Sequence, residues 1–219
     1  MARSDPISVA APVPLAASRR GSARERILTH AEAAVLAKGF AATSIDEIIA
    51  AAGITKSGFF YHFKDKNDLA KALIERYIRQ DKEILDDLFR RARELHDDPL
   101  HGFLVGLKLF AEMMASLPVA HPGCLAASFC YQDQLSSRDI RDLNAAGMQA
   151  WRDRFRQYFQ DIADKYPPRD EIDTDKLADM AVTLVEGGLV LGRALQDGSI
   201  LPQQILIYRD IIRSIFMPS

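Results

Sequence analysis

The sequence predicts an all-α fold of about nine helices. Three observations carry this. Apolar residues recur at helical spacing along most of the 219 residues. Ser22 precedes Glu25, and Ser44 precedes Glu47, at the spacing of a capping box that opens a helix. Strand-like alternation is short and unpaired, and no internal repeat is present.

Residues 1–21 contain "ISVAAPVPLAAS", mildly apolar and ending in small residues. Asp5 before it, Pro12 and Pro14 within it and Arg19–Arg20 after it argue for a disordered, slightly basic tail rather than a signal peptide. "SARERILTHAEAAVLAKGF" reads as a first helix, with Ile27, Ala31, Ala34 and Val35 on its stripe and Gly39 as its stop. Ser44, or Thr43 with Asp46, opens a short second helix with Ile45, Ile48 and Ile49 inward, ended by Ala52–Gly53. Thr55 is the N-cap of a third. Asp65 opens a long fourth helix running to about Arg93, with Leu69, Leu73, Tyr77, Ile84, Leu88 and Leu95 at an approximate helical period.

Pro99 restarts the chain in "LHGFLVGLKLFAEMMASL", which stops before Pro118. "GCLAASFCYQDQL" predicts a short apolar helix. Arg138 to about Lys165 is long and amphipathic, and "YPPRDEID" is a loop. Asp175–Leu195 and Gln203–Met217 complete the set, the last with Ile205, Tyr208, Ile211, Ile212 and Ile215 on one stripe.

Composition narrows the function classes. A hydrophobic fraction of 48% and a charged fraction of 26% are those of a globular chain. No apolar run approaches the roughly 18 residues of a membrane span, so no membrane partner is expected. Two cysteines without a framework spacing fit a reducing cytoplasm. The net charge is −2, with six basic and six acidic residues in 22–68. A uniformly basic nucleic-acid binder is excluded, whereas a local cationic face is not. His96, His101 and His121 lack a metal-ligand spacing, and no nucleophile, phosphate-loop or catalytic-triad pattern occurs. No metal, cofactor or enzymatic activity is expected.

The informative stretch is "TSIDEIIAAAGITKSGFFYHFKDKNDL", Thr43 to Leu69. Two short helices joined by a Gly-containing turn make a helix-turn-helix, whose second helix enters the DNA major groove. Phe59 and Phe63, four apart, are placed to pack on the earlier helices. Thr55, Lys56, Ser57, Gly58, Phe60, Tyr61 and His62 remain for other faces. Hydroxyls and Lys suit phosphates and base edges, and an aromatic suits a thymine methyl.

"GITKSGFFYHFKDKNDL" resembles the DNA-binding signature of the TetR family of transcriptional repressors, closely over roughly residues 22–70 and by architecture beyond. The resemblance implies DNA contacts at Thr43, Thr55, Lys56, Ser57, Gly58, Phe60, Tyr61, His62 and Lys66. Phe60 replaces the usual Tyr, and Gly58 replaces a residue with a side chain, so operator reading departs from the pattern at both. The implied organisation is a tail (1–21), a helix-turn-helix domain (22–68) and a ligand-binding and dimerisation domain (69–219). The implied function is a cytoplasmic homodimeric repressor on a near-palindromic double-stranded DNA operator, released by a small effector. The alternatives are a DNA binder of the same fold without an effector, or a thiol-based sensor.

The resemblance places an effector pocket among the later helices. The candidate lining is Phe103, Leu107, Phe110, Met113, Met114, Phe129, Trp151, Phe155 and Glu186, with an apolar or aromatic ligand expected. Tyr131, Tyr158 and Phe159 add to the same aromatic surplus; ordinary core is the competing reading for each. Glu186 pairs with Arg193, meets a ligand, or is satisfied by a neighbour. Gly187, Gly188 and Gly192 point to close helix approach, and with the last apolar stripe to a dimer through the two C-terminal helices. Cys124 at a helix N-terminus is expected to have a lowered thiol pKa and is the redox candidate; a buried inert thiol is the alternative.

Overall fold

The computed structural model describes residues 22–118, 120–131, 137–168 and 171–217; the expected tail, 1–21, lies outside them. Among the described residues there are nine helices and no strand. They are α1 (Ala23–Lys38), α2 (Ile45–Ala52), α3 (Lys56–His62), α4 (Lys66–Leu95), α5 (Pro99–Ala115), α6 (Leu125–Cys130), α7 (Arg138–Lys165), α8 (Thr174–Leu195) and α9 (Ile200–Phe216).

The start signals act as the side-chain chemistry requires. Ser22 Oγ accepts from the Glu25 amide at 3.3 Å, and Ser44 Oγ from the Glu47 amide at 3.2 Å. Thr55 Oγ1 accepts from Gly58 N at 3.1 Å, and Asp65 Oδ1 from Asp68 N at 2.8 Å. Gly53 closes α2 at φ 62°, a left-handed conformation that lets the chain turn sharply into α3. α9 begins at Ile200, before the expected Gln203, because Pro202 falls in its first turn, where a missing amide is harmless.

Two apolar cores form around α4. The first joins Ile27, Leu28 and Val35 of α1, Ile48 of α2 and Phe59 and Phe63 to Leu69 and Leu73 of α4. Leu125 and Phe129 of α6 and Ile140 of α7 complete it, with the Phe129 ring 5.0 Å from that of Phe40. The second surrounds Leu85, Leu88 and Phe89 of α4 with α5, α7, α8 and α9. Phe89 stacks on Phe103 at 5.8 Å and on Tyr158 at 4.7 Å, while Phe155 and Phe159 are buried beside them. The boundary expected after residue 68 therefore falls inside an unbroken helix, and the first core draws on both sides of it. Leu95, expected on the α4 stripe, is 69% exposed, although Ala92 one turn earlier is fully buried.

Two arginines fix α1 to the larger helical body. Arg76 of α4 is buried, and its guanidinium meets Glu32 at 2.6 Å, Glu25 at 3.3 Å and the Thr29 hydroxyl at 3.2 Å. Arg193 of α8 donates to the carbonyl oxygens of Leu36 at 2.8 Å and Ala37 at 3.4 Å, acceptors left open at the α1 C-terminus. It also donates to Pro122 O at 2.8 Å in the α5–α6 connection.

Arg76→Met strips the counter-charge from Glu32, which is itself mostly covered. It is expected to cost on the order of 2–4 kcal/mol, read as an earlier midpoint in urea unfolding. An unchanged midpoint would show that the bonds across α1 and α4 contribute nothing net.

Candidate nucleic-acid interface and ligand cavity

On α3 the aromatics divide by face. Phe59 and Phe63 are 0% and 2% exposed and anchor the helix, whereas Phe60 and Tyr61 are 45% and 84% exposed. The Phe59 ring meets Phe63 at 5.7 Å and the edge of Phe60 at 5.3 Å, so the outward Phe60 is braced by its buried neighbour. The Tyr61 and His62 rings meet edge to face at 5.0 Å. Thr55 and Ser57 hydroxyls lie 3.1 Å apart on the exposed N-terminal turn. A Cβ at Gly58 would stand 3.2 Å from Thr55 Oγ1, so glycine leaves the capping hydroxyl undisturbed. Lys56 is exposed, with Asp46 3.9 Å away.

Two candidate contacts are placed differently from expectation. Thr43 is 1% exposed and its hydroxyl donates to Gly39 O at 2.9 Å, so its side chain closes the α1–α2 turn and is unavailable to a phosphate. Lys66 is half-buried, donating to Ala41 O at 3.2 Å with its ammonium 4.6 Å from the centre of the Phe40 ring. Burial first, then the neighbouring Lys38, lowers its pKa. Lys64, outside the expected set, is exposed at the C-terminal end of α3 and offers a cation in that region. The "KDK" run contains it, but only the fold separates the exposed lysine from the half-buried one.

The second feature is a cavity of about 100 Å³ between α4, α5, α7 and α8. Of the candidate lining residues, Phe110, Met113, Met114, Trp151 and Glu186 border it. Phe103, Leu107 and Phe155 do not: they sit in the second core, which needs their volume to close around α4. Phe129 belongs to the first core, against Phe40. Sequence reasoning missed Tyr77, Asp81, His121 and Met148, all of which line the cavity. Tyr77 and Asp81 are four apart on α4, a spacing that places both on one helix face. An open groove bounded by Met114, Leu117, His121, Leu189 and Leu201 adjoins the cavity.

Its polar groups are coupled. Asp81 Oδ2 accepts from Trp151 Nε1 at 2.7 Å. Burial raises the Asp81 pKa to about 6, against the Trp151 hydrogen bond and with help from the charge of Glu186. Burial also raises Glu186, partly offset by a hydrogen bond with Cys124. Arg193 is engaged with backbone carbonyls at the α1 end, so it is not the partner of Glu186. The Cys124 expectation is reversed. Its Sγ accepts from Ala127 N at 3.4 Å at the α6 N-terminus, yet burial and the Glu186 carboxylate push the thiol up to about 12. Desolvation and a neighbouring anion outweigh six residues of helix dipole.

A third feature lies on α8 and α9. Met180, Val190, Leu191 and Leu195 of α8 and Leu206 and Ile207 of α9 are exposed. A Cβ at Gly187 would meet open space, so that glycine belongs to this outer face. Gly188 and Gly192 serve contacts within the chain: a Cβ at Gly188 would come within 2.8 Å of Leu201, and one at Gly192 within 3.0 Å of Asp197 O.

Among the described residues no helix is long and apolar enough to cross a membrane, and no three His, Cys, Asp or Glu side chains converge on a metal position.

Residues 27–73 match the model for bacterial regulatory proteins of the tetR family. The HTH-type transcriptional repressor BepR of Brucella suis is 35% identical over 92 residues, 40% of this chain and 43% of that protein. The transcriptional regulator AcuR of Cereibacter sphaeroides is 28% identical over 127 residues, 57% of this chain and 55% of that one. The chain thus spans about half the length of the curated relatives it matches. In three dimensions the regulatory protein TetR from Rhodobacter sphaeroides superposes with a TM-score of 0.73 at 22% identity, covering 89% of this chain and 100% of its own. A regulator from Chloroflexus aurantiacus gives 0.74 at 24% identity, covering 90% and 97%.

The raised Asp81 pKa has a thermodynamic sign. The folded chain holds this proton more tightly than the unfolded chain, so stability falls as pH rises from about 4 to about 6 and stays lowered above. Tyr77, Cys124, Glu186, His121 and, more distantly, Arg154 are the ionisable groups around it, and Glu186 shifts in the same direction. Asp81→Asn keeps an acceptor for Trp151 and removes the titration. Its melting temperature relative to wild type is expected to climb between about pH 4 and 7; a pH-independent difference would contradict the assignment.

Proposed function

The chain belongs to the TetR family through residues 27–73, and on that premise we propose that it is a homodimeric DNA-binding repressor whose operator affinity is set by a small molecule in the α4–α8 cavity. The observation that carries the reading is the outward face of α3. Phe60, Tyr61, Lys56 and the Thr55 and Ser57 hydroxyls are exposed on a helix locked from behind by Phe59 and Phe63. A short helix with so rigid a base can be presented to a major groove without first being ordered. Tyr61 and Phe60 offer apolar edges to thymine methyls, and Lys56 and Lys64 offer charge to phosphates. The amides at the start of α2 add dipole to the same phosphate contacts.

The exposed apolar strip on α8 and α9 supports a second copy as the partner. Six large apolar side chains and an open glycine on two adjacent helices form a patch that a two-fold axis buries against itself. Two recognition helices then reach successive major grooves, about 34–36 Å apart.

Ligand response follows the contacts of α1. The cavity is walled by His121 and Cys124 of the α5–α6 connection, and Pro122 of that connection shares Arg193 with the C-terminal carbonyls of α1. A ligand that prefers one arrangement of this connection biases the position of α1, and with it α3, through its differential affinity alone. A repressor without an effector is the weaker reading, because open space remains beside Met113 and Trp151. Thiolate sensing through Cys124 is disfavoured by its raised pKa.

Gel shifts on fragments flanking the gene are the direct test. Wild type is expected to give a sequence-specific, salt-sensitive shift. Tyr61→Ala should weaken it at least about tenfold, while Lys56→Ala should weaken all sequences alike and flatten the log–log salt slope by about 1. No specific shift for wild type, or an unchanged one for the variants, sinks the proposal. Val190→Arg with Ile207→Arg should sediment as a monomer in analytical ultracentrifugation; a persistent dimer would place the interface elsewhere.

A further inference from the structure

The cavity between α4 and α8 has a distinctive chemistry. Its walls are apolar over most of their area, contributed by side chains such as Ile84, Leu85, Phe110, Met113 and Val185. Into this lining α4 places Asp81 and α8 places Glu186, near enough for the Glu186 charge to act on Asp81. Among the described residues no lysine or arginine lines the cavity. The remaining ionisable groups are Tyr77, His121 and Cys124. His121 is held neutral: burial lowers its pKa, and its Nδ1 accepts from the Gly123 amide at 3.2 Å. Arg154, whose charge reaches Asp81, is engaged by Asp86 at 2.5 Å. Asp81 has Trp151 as its donor and Glu186 has Cys124, both uncharged.

We propose that the cavity binds a small amphipathic amine, its ammonium group set between Asp81 and Glu186 and its hydrocarbon part against the apolar wall; this rests on the reading of the cavity as a ligand site. Two acids in one apolar cavity whose described lining holds no lysine or arginine form a site short of one positive charge. An ammonium group supplies that charge and up to three donors for the carboxylate oxygens. The aromatic rings of Tyr77, Phe110 and Trp151 in the same lining suit a cation better than an anion. The size of the cavity, about 100 Å³, limits the ligand to a single ring or a short chain. The groove through Met114, Leu117 and Leu189 offers it a way in from solvent.

The alternative occupants are a neutral ligand whose carbonyl accepts from protonated acids, and an anion. Titration calorimetry on the purified full chain separates them. The probes are benzylamine, cyclohexylamine and n-butylamine, each with its matched alcohol (benzyl alcohol, cyclohexanol, n-butanol) and its matched carboxylate (benzoate, cyclohexanecarboxylate, butyrate). At least one amine is expected to bind at least about tenfold more tightly than its alcohol, with its carboxylate weaker still. Asp81→Asn with Glu186→Gln is expected to abolish that preference while leaving binding of the alcohol in place. Circular dichroism and gel shift on the same variant check that it is folded and still binds DNA.

The proposal is overturned if the alcohols or carboxylates bind as well as the amines. It is equally overturned if the double variant keeps the amine preference, or if no amine binds at concentrations up to about ten millimolar. An amine that binds through Asp81 and Glu186 yet leaves the DNA complex intact upholds the site and removes only its role as an effector switch.

Discussion

Arg76 carries a full positive charge into the seam between α4 and α1, where Glu25, Thr29 and Glu32 receive it. Most of the remaining architecture depends on that seam. α1 is the platform on which α2 and α3 rest, through Ile27, Leu28, Ile48 and Phe59 in one core. α4 runs from that core into the second. A guanidinium suits the place because its planar fork addresses two acids and a hydroxyl at once, which an ammonium on a flexible stem does less well. Its burial also sets direction: α1 cannot slide along α4 without stranding charge in an apolar seam.

The same electrostatic logic runs in reverse in the cavity. There burial surrounds Asp81 and Glu186 with apolar groups and gives them only uncharged donors. The body of the protein thus holds two contrasting sets of charges within two turns of each other on α4. One set is compensated and structural, at Arg76. The other, at Asp81, has an uncharged donor and no cation in direct contact. Buried charge without compensation is costly to keep in a fold, and where it persists beside open space it indicates a task other than stability.

Much of this was legible in the sequence for physical reasons. Ser22, Ser44, Thr55 and Asp65 bond amides within their own turns, so local spacing suffices to locate the first four helix starts. The split of Phe59 and Phe63 from Phe60 and Tyr61 follows from helical geometry alone. What was not legible depends on the meeting of distant segments. Thr43 looks like an exposed cap until Gly39, on the other side of a turn, is seen to take its hydroxyl. Cys124 stands at a helix N-terminus, which argues for a thiolate. Burial, and then the carboxylate of Glu186 arriving from α8, decide the matter the other way. Phe103 and Phe155 carry the same signal as Phe110 and Trp151, since periodicity places a residue on an inner face without saying whether the space beyond is filled. The pairing of Arg193 with the end of α1 spans more than 150 residues and leaves no local trace.

The first core has an ownership problem. Leu125, Phe129 and Ile140 lie well downstream of α1, α2 and α3, yet they close the apolar interior on which those helices stand. The set of α1, α2 and α3 is therefore not a detachable module. A fragment ending within α4 would expose the flank of Phe40 and lose three large side chains from a small interior. A chimera joining α1–α3 to the remaining helices of another protein would inherit foreign residues at those three positions. Exchange of parts between such proteins is constrained less by the helix that connects them than by which α6 and α7 accompany it.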